Sequence, residues 1–109
     1  MDRSDVIELV AESTVRDSKG VMRKTETARR VFCSVSSVSR AEFFEAGRNG
    51  LNPEFVFTVF FGDYNGERTL RYNGQAYGIY RTYHAKTDIM ELYAERKGGT
   101  NGAAEGNGG

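Results

Sequence analysis

The chain has 109 residues, with 15 basic and 15 acidic side chains, one histidine and one cysteine. That length accommodates one domain, the single cysteine excludes an internal disulfide, and a formal net charge of zero gives only a weak global pull on nucleic acid. No stretch approaches the ~18–20 apolar residues of a membrane-spanning helix, and the acidic start has no long apolar run of the secretory kind, so a cytosol-like compartment, or an assembly built in one, is expected.

The charges are unevenly placed. Residues 1–15 carry four acids against one base, and residues 40–67 carry five acids against two bases. Residues 16–30 carry six bases (Arg16, Lys19, Arg23, Lys24, Arg29, Arg30) against Asp17 and Glu26. That basic segment reads as a solvated loop, a weak contact to nucleic acid, or a surface for an acidic neighbouring subunit.

In chain order, Ile7, Leu9, Ala11 and Val15 alternate with Glu8, Val10, Glu12 and Thr14, the period-two pattern of a strand with one wet face. Asp17-Ser18-Lys19-Gly20 has turn composition. The polar, basic residues 21–30 suit an extended arm or a long hairpin tip. From Val31 the pattern turns apolar again, with Val31, Cys33 and Val35 on one face and Phe32 on the other. Ser39 and Glu42 have the spacing of a capping box, and Val38 and Phe43 that of a hydrophobic staple. A helix is therefore expected from Ser39, ended by Gly47 or Gly50 and prevented from running on by Pro53. At two to three turns it is too short to stand alone, so Phe43 or Phe44 is expected to pack on something.

Phe55, Phe57, Val59 and Phe61 share one face of the next strand and Val56, Thr58 and Phe60 the other. With both faces apolar, it reads as a central strand or one covered by the helix. Asn65-Gly66 and Asn73-Gly74 each suit a type I′ hairpin turn. Thr69–Tyr72, Gln75–His84 and Ile89–Glu95 then form a meander, with Lys86-Thr87-Asp88 as its last turn. Residues 98–109 contain no large apolar side chain that could offset the entropy of being ordered, so they are expected to be a disordered Gly-rich tail. The expected fold is mainly β, about six antiparallel strands with one short helix over residues 1–97, closed into a small antiparallel barrel or folded into a sandwich. Closure removes the exposed edges of such a sheet.

Catalytic patterns do not emerge. His84 has no cysteine or carboxylate at motif spacing and reads as a surface or turn residue. One histidine and one cysteine cannot make the usual zinc set, and Cys33 in its apolar stretch reads as a buried, inert thiol. No phosphate-cradling glycine loop, nucleophile elbow or calcium loop is present. No enzymatic activity, metal or cofactor is expected, although a carboxylate site assembled only in space remains open. Tyr72, Tyr77, Tyr80, Tyr83 and Tyr93 lie among Arg68, Arg71 and Arg81. Core packing or a protein interface is one reading. Base stacking with phosphate binding, as on an OB-like barrel, is the other.

The run Val31-Phe32-Cys33-Ser34-Val35-Ser36-Ser37-Val38-Ser39-Arg40-Ala41-Glu42-Phe43-Phe44-Glu45-Ala46-Gly47 resembles the head–tail joining, or head-closure, proteins of long-tailed bacteriophages. An apolar strand leads into Ser-x-x-Glu, two aromatics and x-Ala; Asn52-Pro53-Glu54-Phe55 and Gly62-Asp63-Tyr64 follow as the proline link and the end of the aromatic strand. Leu70-Arg71-Tyr72-Asn73-Gly74-Gln75-Ala76-Tyr77, Arg81-Thr82-Tyr83 and Ile89-Met90-Glu91-Leu92-Tyr93 extend the likeness, which covers about residues 5 to 97 and rests on order and spacing. The Gly-rich tail lies outside that pattern.

The resemblance implies a structural virion protein, made in the host cytoplasm and built into the connector. It is a small barrel that self-associates into a ring, in some cases only on the connector, between the portal or adaptor and the tail-completion proteins. The ring surrounds the DNA channel, touches the packaged DNA non-specifically and helps retain it. The alternative is an OB-like nucleic-acid binder. Ring contacts are expected at Arg23, Lys24, Arg29 and Arg30, meeting acidic residues 1–15 or 40–67 of a neighbour. By the resemblance the segment Ser39–Pro53 faces or gates the channel. Ser39, Arg40, Glu42, Phe43, Phe44 and Arg48 are its contact candidates, Arg40 and Arg48 lying near phosphates with Glu42 and Glu45 diluting their field. In the other reading the helix only plugs one barrel end through Phe43 and Phe44.

Overall fold

A computed structural model describes residues 4–97. The elements are β1 (Asp5–Arg16), β2 (Met22–Ser37), α1 (Arg40–Arg48), β3 (Pro53–Phe60), a 3₁₀ turn (Phe61–Asp63), β4 (Thr69–Tyr72), β5 (Gln75–Lys86) and β6 (Ile89–Arg96). The strands close into an antiparallel barrel in the order β1-β2-β3-β6-β5-β4. Among the described residues, the mainly β architecture, the closed barrel of six strands and the single α-helix agree with the sequence expectation. The expected tail, 98–109, lies outside the described residues.

Period-two patterning builds the interior. Ile7 and Leu9 of β1, Val31 and Cys33 of β2, Phe57 and Val59 of β3, Leu70 of β4, Tyr77 of β5, and Leu92 and Ala94 of β6 form one buried cluster. Phe55, Phe57, Tyr72 and Tyr77 meet edge-on there, with ring centroids 5.4–5.9 Å apart. Each large side chain so buried is worth about 1.5–3 kcal/mol. β3 lies between β2 and β6, and α1 packs against it, which accounts for its two apolar faces. Of the face expected from Phe55 to Phe61, only Phe61 departs. It has left the strand for the 3₁₀ turn and is exposed.

The two Asn-Gly pairs part company. Asn73 (φ 51°) and Gly74 (φ 78°) both take positive φ between β4 and β5, as a type I′ turn requires. At Asn65-Gly66 only the glycine does (φ 85°). β3 and β4 are not neighbours, so residues 61–68 cross an end of the barrel and make no hairpin. The meander of β4, β5 and β6 is otherwise as expected, its last turn being Thr87-Asp88.

The hairpin of β1 and β2 is longer than the barrel needs. It is continuously paired from Asp5↔Cys33 to Arg16↔Met22. However, β1 meets β4 only at Glu8, Leu9 and Val10, and β2 meets β3 only from Cys33 to Ser37. Beyond these limits it is a two-stranded arm, about 20 Å over residues 11–16 at roughly 3.3 Å per residue. Residues 11–16 and 22–30 are exposed throughout. The alternation through Ala11 and Val15 therefore does not mark a buried face there.

Candidate docking surfaces

The arm ends in a turn that the sequence specifies closely. Asp17 Oδ1 accepts from the Lys19 and Val21 amides, both at 2.9 Å, and Asp17 Oδ2 accepts from Arg23 Nε at 3.0 Å. These bonds, the Val21 amide foremost and then the Arg23 side chain, hold the Asp17 carboxyl below its ordinary range. Gly20 takes φ 81°, which fits the turn. Val15, Val21 and Met22 stand at least half exposed around this tip. Of the basic candidates, Arg23 is tied to Asp17, while Lys24 and Arg30 form no ion pair among the described residues.

Arg29 is engaged inside its own chain. It lies opposite Leu9, on the interior side of β2 where the arm leaves the barrel. It reaches Glu67 Oε2 at 2.8 Å and the Asp63 carbonyl at 2.6 Å. Glu67 Oε1 accepts from the Asn65 amide at 2.9 Å, and the Tyr64 hydroxyl donates to the Glu67 carbonyl at 2.6 Å. The Glu67 side chain is only 5% exposed. Burial raises its pKa, but the Arg29 and Asn65 hydrogen bonds outweigh that and hold the carboxyl below its ordinary value. This constellation ties the arm to the crossing segment. No local pattern announced it, because the partners are 38 residues apart.

The helix follows half of its capping box. Ser39 Oγ accepts from the Glu42 amide at 3.1 Å, as expected. The Glu42 carboxylate does not turn back to Ser39: Oε2 accepts from the Tyr80 hydroxyl and Oε1 from Arg81 Nη2, both at 2.6 Å. Arg81 lies 3.8 Å over the Tyr93 ring, whose hydroxyl donates to Glu91 at 2.7 Å. Tyr80 falls at a register shift between β5 and β6. Burial acts most on Glu42 and raises its pKa, yet the bonds from Arg81 and Tyr80 bring it below the ordinary value. The same burial and the Glu42 bond push the Tyr80 hydroxyl well up.

Phe43 and Phe44 do not dock the helix. They are 47% and 57% exposed and meet each other edge-on at 5.8 Å. The buried helical residue is Ala46, so α1 lies on the barrel wall through Ala46 and Glu42 and does not plug an end through its phenylalanines. Arg40 is exposed, and Arg48 pairs with Glu45 at 3.3 Å. Gly50 (φ 79°) follows the last turn, where the Leu51 amide donates to the Ala46 carbonyl at 3.1 Å. Further exposed aromatics, Phe32, Phe60 and Tyr83, stand on the barrel strands, and Phe61 of the 3₁₀ turn is stacked on His84 at 4.1 Å.

The groups that suggested other chemistry are otherwise occupied. Cys33 is fully buried and its thiol is pushed up to about 12, chiefly by burial, so it holds neither a nucleophile nor a ligand ready. No cluster of three or more metal-binding side chains occurs among the described residues. Tyr72 and Tyr77 pack with the phenylalanines of the core, and Tyr80 and Tyr93 with the helix clamp. Arg71 lies between Glu8 (3.5 Å) and Glu26 (2.8 Å). No protein-family model matches the chain, and no curated protein matches it.

Proposed function

We propose that this chain is a structural subunit of the head–tail connector of a long-tailed bacteriophage. It forms a ring with further copies between the portal or adaptor and the tail, and helps close the DNA channel after packaging. One observation carries the reading: a two-stranded arm stands off a closed barrel with both faces exposed, and α1 beside the barrel shows Phe43 and Phe44 to solvent. A barrel completes its own hydrogen bonding and needs no such arm for stability, so the arm is best explained by a partner. The likeness of residues 5–97 to head-closure proteins names the assembly; it implies a small β-barrel with one helix, and the closed six-stranded barrel with α1 fits that implication.

In this reading the protein acts by docking, not by catalysis. Arg40 and Arg48 are the residues placed nearest packaged DNA, as a non-specific, screened contact. The nucleic-acid alternative loses support from the tyrosines: of the five once grouped as stacking candidates, only Tyr83 is strongly exposed. Negative-stain imaging of the chain mixed with purified portal and adaptor tests the reading. A ring seated coaxially on the connector is expected. A chain that ignores the connector and binds single-stranded DNA tightly, with steep salt dependence, would replace it with the alternative.

A further inference from the structure

The arm leaves two strand edges without a neighbour. β1 loses β4 beyond Val10, and β2 gains β3 only at Cys33. Residues 11–16 on one edge and 22–32 on the other therefore have no strand beside them. Exposed edges of this kind are templates for strand addition unless a bulge, a proline or a covering segment blunts them. The arm's register is unbroken, and no proline interrupts it.

Charge is the remaining protective device, and here it is unbalanced. Glu12 stands directly opposite Glu26, an unfavourable like-charge pair, and Lys24 stands opposite Thr14. Glu26 is drawn away by Arg71 at 2.8 Å. Glu12 and Lys24 share a face of the arm, because cross-strand partners and every second residue point the same way. Neither has an ion-pair partner among the described residues. Each lies on a bare edge, the acid on β1 and the base on β2.

We propose that arms of successive copies pair edge to edge, the β1 edge of one antiparallel to the β2 edge of the next, with Glu12 opposite the neighbour's Lys24. That register sets Ala11 opposite Thr25, Ser13 opposite Arg23 and Thr14 opposite Met22. It brings Glu26 of the incoming strand to the groove lined by Val10, Ala11, Glu12 and residues 65–69, where Arg68 stands. The two edges are unlike, so the contact is head-to-tail and can repeat around an axis. A nucleic acid would not choose an edge that bears Glu12, and the glycine- and asparagine-rich residues 98–109 are poor strand formers. A second copy supplies both the complementary charge and the strand. The inference deepens the ring reading and rests on it only for the claim that the contact repeats.

The test is a charge exchange read by sedimentation velocity and amide hydrogen exchange up to about 1 mM chain, where even millimolar affinity populates the contact. Wild type is expected to self-associate and to slow exchange across residues 11–16 and 22–25 severalfold as concentration rises. Glu12→Lys and Lys24→Glu each set like charges across the contact and are expected to stay monomeric. An equimolar mixture of the two restores opposite charges at every mixed contact and is expected to associate again. Wild type that is monomeric at the top concentration, single variants that associate like wild type, or a mixture that does not recover would each overturn the pairing. Rings seated on portal and adaptor with freely exchanging arms would sink the pairing and leave the connector reading standing. Arm pairing in solution without any connector ring would do the reverse.

Discussion

Arg29 and Glu67 hold the place where the arm leaves the barrel, and their value is asymmetric. Glu67 is almost fully buried while Arg29 is 42% exposed, so removing the arginine harms the acid more than the reverse. Arg29→Ala leaves a buried carboxylate with no cation, held only by the backbone amides of Asn65 and Glu67, and a loss of about 2 kcal/mol is expected in urea unfolding at pH 7. The pH dependence gives a sharper check. In the native chain the Glu67 pKa lies below its unfolded value, so its contribution is present above that value and fades as pH falls through the folded one. Without Arg29, burial dominates and raises the pKa, so protonation no longer costs stability. The gap between variant and wild type is therefore expected to narrow between pH 7 and about pH 4. A gap that stays constant would mean Glu67 is not the group affected. Cys33 offers a second residue-scale test: with no exposure and a thiol pushed up to about 12, it should ignore an aromatic disulfide reagent at pH 8 and react at once in denaturant.

At the scale of the element, α1 is a nine-residue helix that cannot persist alone in water. Its attachment rests on Ala46, the Ser39 cap and the two bonds to Glu42. Glu42→Ala removes both bonds to β5 while leaving the barrel interior untouched. The expected result is fast amide exchange over residues 40–48 with core strands unchanged, and a stability loss of about 1–2 kcal/mol, the partly exposed Arg81 limiting the effect. Core exchange that rises in step with the helix would show that α1 is needed for the barrel itself. The contrast between Ser39 and Glu42 also shows what was legible. The cap, the Asn73-Gly74 turn and the alternation of β3 are decided by residues within a few positions of one another, and the sequence displayed them. Glu42 is decided by Tyr80 and Arg81, 38 and 39 residues away, so its local partner lost to distant ones. Asn65-Gly66 failed for the same reason, because turn chemistry does not reveal which strands will be neighbours. Phe43 and Phe44 misled because size suggested burial, whereas the helix uses a small residue to approach the wall.

For the whole molecule, the central division is between a barrel that carries the stability and an arm that carries none of the core. No residue from 11 to 30 belongs to the buried cluster, which draws on all six strands outside that span. The apolar groups of the tip are exposed and gain nothing from folding alone, and an isolated two-stranded ribbon is marginal in water. The register of β1 and β2 supplies a clean excision point: Val10 faces Ala28, and Arg29 beyond it keeps its bond to Glu67. Replacing residues 11–27 by Asn-Gly gives that pair the two-residue turn whose twist suits a hairpin. The shortened chain is expected to fold with the same core, and its stability should lie within about 1 kcal/mol of wild type, since little buried area is lost and fewer residues need ordering. It should also lose both concentration-dependent association and the ability to add to a connector ring, while α1 and its clamp stay as they are. A shortened chain that unfolds would place the arm in the folding unit. One that still builds rings would move the docking function to the exposed aromatics of the barrel wall and the helix.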